Sequence, residues 1–500
     1  MSIPHSHFEA ASRPSARGRT AVGLLIASAA ASSCTVGPRY QPPEISLAPR
    51  YAETGLPHDQ APLSQPLSTE ADVSQWWLQF HDDKLQTLVQ RAREGNLDLQ
   101  SAASRIREAR EQEIIAGAAR LPSLNAIGLG ARLHANSNPL ANLGGTNSAA
   151  ASSQSTALEL YSAGFDATWE LDVFGRAARN REAAQAETAA AVWQLRDAQV
   201  SLSAEIANDY LSLRTTQLLI AIARSAVERQ RQMLRIVEAR SRAGFVTQLD
   251  VNQQRAELAS TAAQLPALES QERGMQHALA VLLGQQPDTL IEELAVTDAQ
   301  LPSVPQMLPA GLPSDLLRRR PDVRSAERQL AAATAKVGVA TADLYPKFNL
   351  IGAASFASSS IGSLLSSRNF STVAAGLISW PVFQGGKVRA NIHATQEQRM
   401  QAYLAYQKAV LVALQNAEDG IERYTSEQRR LLSLREAEQA AHSSLTIAEA
   451  QYRAGTINFQ SVLTASTVDL NAQQQVAQST QMLAQNLVAL YKSLGGGWTP

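Results

Sequence analysis

The chain carries one structural plan twice. LPSLNAIG at 121–128 returns as YPKFNLIG at 345–352, and Asp98, Ser101, Ala102, Pro122, Asn125, Ile127 and Gly128 recur at Asp322, Ser325, Ala326, Pro346, Asn349, Ile351 and Gly352, 224 residues later. Further on, SRAGFVTQLDV at 241–251 returns as YRAGTINFQSV at 452–462 and Leu283-Gly284 as Leu494-Gly495, now 211 residues later. The phase changes only between about 129 and 176, so the copies share helices of equal length and differ in one intervening loop. Two copies this long imply duplication of a large supersecondary unit, not a short solenoid period.

The composition fits extended helices. Of 500 residues, 45% are hydrophobic, 18% charged and only 5% aromatic, with Ala, Gln and Leu prominent, too few large side chains for one thick core. A formal net charge of -1 offers no clustered basic surface for nucleic acid.

The N-terminus reads as an export signal over 1–33: Arg13, Arg17 and Arg19, an apolar run from Ala21 to Ala31, then small residues before Cys34. That run is too short to span a bilayer. Cys34 is the single cysteine, so no disulfide can form within one chain. Acylation of Cys34 after cleavage is the preferred reading, with an ordinary secretory peptide and an incidental cysteine as the alternative, since Ala31 stands where lipoprotein signals prefer Leu. Thr35 stands where inner-membrane lipoproteins carry Asp, which favours sorting to the outer membrane.

Residues 34–74 then form a Pro-rich extended segment, the first repeat spans 75–284, a linker with five prolines spans 285–313, the second repeat spans 314–495, and 496–500 is a tail. QWWLQFHDDKLQTLVQRA at 75–92 opens as a short helix packed on its aromatics. Leu97–Arg120 and Pro321–Leu344 read as helices closed by the following X-Pro. Strands are expected near 121–134, 158–174, 345–357 and 370–383. In 161–173 the odd positions are apolar and the even ones polar, which is the period of a strand with two unlike faces; Tyr161, Phe165 and Trp169 mark the membrane-facing one. Polar, low-complexity segments at 144–157 and 357–369 read as exposed loops.

Arg176–Ala243 lacks Gly and Pro, and Lys387–Ala454 contains only Gly420. Each can be one helix of roughly 100 Å at 1.5 Å per residue. Both end in Arg-Ala-Gly, where Gly244 and Gly455 can take a left-handed cap and turn the chain into returning helices at 247–283 and 458–494. Each returning helix plus a shorter partner comes close to the length of one long helix, so two short helices should stack end to end beside each long one. Pro266 and Gly274 are expected to bend the first returning helix.

Four strands cannot close a sheet in lipid, where edge amides find no water, and the smallest membrane barrels have about eight. Several copies must therefore share one barrel. The expected fold is mainly α with a membrane β-barrel, built on a duplicated helix-strand-strand-helix repeat; a trimer would give twelve strands and, with four helical columns per chain, twelve columns beneath them. At about 10 Å between helix axes, twelve columns enclose a lumen of about 25–30 Å. The alternative is a solvated coiled-coil lipoprotein whose apparent strands are loops.

CTVGPRYQPP at 34–43, WWLQF at 76–80, PSDLLRRRPDVRSAERQL at 313–330 and ALYKSLGGGW at 489–498 resemble the TolC-like outer-membrane efflux factors, in their OprM/NodT-like lipoprotein branch, over essentially all of the mature chain. The resemblance implies a homotrimer with a 12-stranded β-barrel on a long 12-helix α-barrel, an exit duct that takes its energy from an inner-membrane RND-type pump and meets it through a periplasmic adaptor; the same channel serving an ABC-type exporter is the runner-up. It implies that Arg242, Ala243, Gly244, Arg453, Ala454 and Gly455 form the adaptor-docking tip. It also implies a periplasmic gate at Asp250, Tyr452, Ser461 and Thr464. Relatives commonly carry Asp where this chain has Ser461 and Thr464, so its gate should be less acidic than theirs, with less attraction for cations.

Catalytic patterns are lacking. The eight histidines show no metal-ligand spacing, and QGGK at 384–387 lacks the rest of a phosphate loop. The chain reads as a non-enzyme without cofactor beyond the lipid on Cys34. Arg318–Arg320, beside Asp315 and Asp322, is expected to form ion pairs between helices.

Overall fold

The computed structural model describes residues 35–45, 73–135, 156–295, 300–304 and 318–498. Cys34, the signal 1–33, Asp315, most of the loop 144–157 and much of the Pro-rich linker lie outside them. The described chain divides into two compact units: one combines Ala109–Thr188 and Gln329–Ala402 with the segment after Cys34, the other combines Pro42–Glu108, Ala189–Arg328 and Tyr403–Pro500.

A 3-10 turn at Trp76–Phe80 precedes α1, Asp83–Gly95, and α2, Leu97–Ala118. The sequence predicts a helix opening at 75; instead His81 takes a left-handed φ of 51° and Asp82 caps α1, its carboxylate accepting the Leu85 amide at 3.0 Å. An N-cap side chain satisfies amides that the first helical turn leaves free. Trp76 is stacked 5.4 Å from Tyr491 and fully buried, which anchors the 3-10 turn.

Next in the chain come β1, Ser123–Ala135, β2, Thr156–Leu171, α3, Arg176–Arg242, and α4, Gln248–Leu282. The second copy repeats the order: α5, Pro321–Ala342, β3, Lys347–Ser358, β4, Phe370–Ser379, α6, Lys387–Ala454, and α7, Phe459–Ser493. Strand β4 stops before Trp380, short of the expected 383, because Pro381 offers no amide to a ladder. Pro266 lies inside α4 without breaking it.

In the first unit the four strands make one antiparallel sheet in the order β1-β2-β3-β4. The two copies meet at its centre, where β2 pairs with β3 from Tyr161↔Ser358 to Leu171↔Phe348. Trp169 and Trp380, one in each repeat, make the same bond: each indole donates at 3.0 Å to a carbonyl one residue before the Leu-Pro or Tyr-Pro step, Arg120 and Leu344 respectively.

In the second unit the returning helices meet the short ones end to end. Asn96, at the start of α2, donates to the Leu282 carbonyl of α4 at 2.9 Å; Arg320, its counterpart at the start of α5, donates to the Ser493 carbonyl of α7 at 3.2 Å. Different side chains thus satisfy the same orphaned helix-end carbonyl in each copy. Arg320 also forks onto both oxygens of Asp322. Trp498 is 8% exposed, edge-on to Trp193 at 5.5 Å, with Arg196 over both rings. No helix among the described residues is long and apolar enough to cross a membrane.

Candidate functional site

Two regions carry the functional reading: the turns that join the long helices to the returning ones, and the sheet.

At the first turn the chain leaves α3 through Arg242, Ala243 and Gly244, and at the second it leaves α6 through Arg453, Ala454 and Gly455; all six are exposed. Gly244 and Gly455 have φ of 80° and 79°. The amide after each glycine reaches back to close the helix, Phe245 to the Arg240 carbonyl at 2.9 Å and Thr456 to the Gln451 carbonyl at 3.0 Å. This is a Schellman-type stop, which needs the left-handed residue. Beyond the glycine the two turns differ: Phe245 is 78% and Leu249 64% exposed, whereas the second copy has Thr456 and Gln460 at these places.

The expected gate residues take three different settings. Tyr452 is buried in a cluster with Met233, Val237, Val251, Phe459 and Val462 that joins both hairpins. The Arg240 guanidinium lies 4.7 Å above its ring and donates to its carbonyl. Burial pushes the Tyr452 hydroxyl above the usual tyrosine range, against the pull of Arg240. Asp250 belongs to a capping box with Thr247: its Oδ2 accepts the Thr247 amide and hydroxyl, both at 2.9 Å. Ser461 holds the matching position, and there the roles reverse, with Asn458 Oδ1 accepting the Ser461 amide at 3.1 Å and hydroxyl at 2.8 Å. Thr247 and Asn458 are thus the N-caps of α4 and α7; in the first copy the N3 partner is an acid bonded back to the cap, in the second it is the neutral Ser461. Ser461 and Thr464 line an open groove of about 650 Å³ between α6 and α7, opposite Ala437, Ala441 and Ser444.

Sequence reading missed Arg240, which has no counterpart in the second copy because Gln451 stands there. It also missed Asp469, fully buried in α7, which receives the Gln473 amide at 2.9 Å and lies 3.3 Å from His442 of α6 and 3.7 Å from Arg229 of α3. Nothing in a single acidic position on a long helix signals such a cross-link. Among the described residues no three His, Cys, Asp or Glu side chains gather as metal ligands.

The sheet has two unlike faces. Residues paired across an antiparallel ladder share a face, so the register sets Gly128, Ala163, Phe356 and Phe370 in one row, Ala126, Phe165, Ala354 and Thr372 in the next, then Leu124, Ala167, Gly352 and Ala374, then Trp169, Leu350 and Gly376. Tyr161 and Gly130 continue it. That face is largely apolar across all four strands, with Thr372 and Ser358 among its few polar members. The opposite face is mixed: it carries Asp166, bonded to Asn125 at 3.1 Å, and Thr168, bonded to Ser123 at 2.8 Å, together with Glu170 and Asn349, but also Ile127, Leu129, Ile351, Val373 and Leu377. Among the described residues, Leu124, Phe165 and Ile378 on one side and Val373 on the other are each more than half exposed.

A four-stranded sheet with one largely apolar face, built from two copies of a unit whose remaining length is long helix, fits the class of outer-membrane channel proteins. The family model for "Outer membrane efflux protein" matches residues 88–285 and again 312–496, one match per repeat, and the chain belongs to this family. It is 33% identical to the pyoverdine export outer membrane protein OpmQ of Pseudomonas aeruginosa, over 90% of this chain and 93% of that one, and 30% identical to nodulation protein T of Rhizobium leguminosarum bv. viciae, over 93% and 91%. Its structure resembles that of the outer-membrane channel OprN, with TM-score 0.83, 36% identity and coverage of 93% of this chain and 100% of that one. The fold alone extends to the CmeC channel of Campylobacter jejuni, at TM-score 0.83 and 21% identity, over 93% of this chain and 95% of that one. This protein is accordingly an outer-membrane efflux component.

Proposed function

We propose that three copies close their sheets into one 12-stranded barrel, continued by twelve helical columns, as the passive exit duct of a tripartite pump. The observation that carries this is the sheet itself. Its apolar face fits lipid, while β1 and β4 are edges in the single chain, and an edge in hydrocarbon leaves amides without partners. Pairing β1 of one copy with β4 of the next satisfies them. Tyr161, Phe165 and Trp169 then face lipid, and Asp166, Thr168 and Glu170 face the lumen.

The turns at Arg242-Ala243-Gly244 and Arg453-Ala454-Gly455 meet a periplasmic adaptor that links the duct to an inner-membrane RND-type pump; their exposure supports this. Asp250, Tyr452, Ser461 and Thr464 act at the resting constriction, Tyr452 from within the packing between hairpins and the others from helix starts. Residues 1–33 are removed, and Cys34 then carries the lipid that anchors the segment 34–74. The two repeats, 75–284 and 314–495 with their linker 285–313, act as one wall.

In planar bilayers the purified protein should give discrete ion currents, and cells lacking it and any homologous duct should accumulate pump substrates. Persistent silence in the bilayer together with unchanged accumulation would refute the duct.

A further inference from the structure

We propose that Arg179, with Gly37 and Gly338, forms a socket that seats the N-terminal segment, so that the acyl chains on Cys34 enter the membrane at one fixed place beside the feet of β2 and β3. This rests on the reading of Cys34 as the lipid-bearing residue. The carrying observation is a charged side chain nearly lost to solvent: Arg179, in the first turn of α3, is 4% exposed. Its Nη1 meets Glu182 at 2.7 Å, while Nε donates to the Val36 carbonyl at 3.2 Å and Nη2 to the Gly37 carbonyl at 3.4 Å. A buried guanidinium needs a counter-charge and filled donors, and here the segment after Cys34 supplies the acceptors that Glu182 does not.

Steric fit points the same way. A Cβ on Gly37, which has φ of 88°, would sit 2.5 Å from the Gly338 Cα, and a Cβ on Gly338 would sit 2.9 Å from Arg179 Cγ. Main chain, main chain and guanidinium stem are thus layered with no room for a methyl group. The Val36 amide also donates to the Phe174 carbonyl at 3.2 Å, and Phe174 stacks on Tyr345 at 4.6 Å. Phe174 lies just past β2 and Tyr345 just before β3, so the segment is bonded at the same end of both central strands. Thr35, next in the chain to Cys34, lies against the same foot: a Cβ on Gly175 would sit 2.5 Å from its Cγ2. Arg179 and both glycines lie outside the four strands, and two of the three Arg179 hydrogen bonds go to the segment.

Two measurements on the full-length protein in lipid nanodiscs test this. Cells fed a photoactivatable fatty acid should yield protein whose acyl cross-links, where they reach protein, fall in peptides around 170–176 and 343–350; cross-links scattered over the chain would overturn the socket. A nitroxide at the exposed position 39, introduced as Arg39→Cys, should give an immobilised spectrum that becomes mobile in Arg179→Ala or Gly338→Val, while Arg179→Lys restores it only in part. A mobile spectrum with Arg179 intact would also overturn it. Labelling at one spin per chain reports a blocked Cys34; two spins per chain would sink the acylation reading and leave the seating of the segment to be judged by the spectrum.

Discussion

At the scale of single residues, the gate region separates side chains by what they bond. The Tyr452 ring is in the cluster under Arg240, but its hydroxyl has no hydrogen-bond partner among the described residues. Tyr452→Phe should therefore change tip stability by less than about 0.5 kcal/mol, while Tyr452→Ala should cost about 3–5 kcal/mol of local packing, read as amide exchange at the ends of α3 and α6. Asp250 has two separable roles. Asp250→Ala should loosen the start of α4 by about 1 kcal/mol and also alter conductance if the carboxylate ring constricts the pore. Asp250→Asn keeps an acceptor for the Thr247 amide and removes only the charge, so exchange in α4 should stay near its original rate while cation preference falls. An Asn variant with unaltered current would take Asp250 out of the gate.

Elements are held at their ends, and these holds respond to strain and pH. Gly244 faces open space, so Gly244→Ala meets only the left-handed backbone penalty, about 1–2 kcal/mol, and should fray the turn without unfolding the hairpin; proteolysis at 242–246 would show it. Arg91 donates to both Glu293 oxygens, at 3.0 and 2.8 Å, tying α1 to the segment after α4. That bond, aided by the nearby positive charges of Arg91 and Lys84 and opposed by partial burial, holds the Glu293 carboxyl below the usual glutamate range. A depressed folded-state value stabilises above the unfolded value, and the benefit disappears as pH falls through the folded one. Exchange in 285–295 should thus accelerate on acidification below the ordinary glutamate range, and Arg91→Ala should remove that step. A pH profile unaffected by Arg91→Ala would contradict the assignment.

For the molecule as a whole, the decisive question is what pairs with β1 and β4. Cysteine pairs scanned along the two edges, for example Leu129→Cys with Val373→Cys, should oxidise to a covalent trimer wherever the register brings them together, since Cys34, the sole native cysteine, is blocked by acylation in this reading. Cross-linking that stops at dimers for every pair would exclude ring closure. The outer face also predicts an asymmetry: Phe165→Asp, on the apolar face, should impair membrane assembly as seen by heat-modifiable migration, whereas Asp166→Ala, one residue on and facing the other way, should leave assembly intact and shift ion selectivity.

Repeats, helix lengths and the alternation at 161–173 were legible in the chain because they are local and periodic: a 211-residue return of Arg-Ala-Gly needs no fold to be seen, and neither does a polar face on every second residue. The bonding at the helix ends was not legible. Asn96 and Arg320 bond equivalent carbonyls with unlike side chains, the N3 residue accepts a hydroxyl at Asp250 but donates one at Ser461, and Arg240 has no repeat partner, so matching the copies hid all three. The cap at Asp82 was hidden because Trp76 and Phe80 resemble a helical stripe until Tyr491, distant in sequence, is seen to stack on Trp76. Periodicity specifies elements because it depends on neighbours along the chain. Which side chain completes which orphaned group depends on neighbours in space, and only the folded protein brings those together.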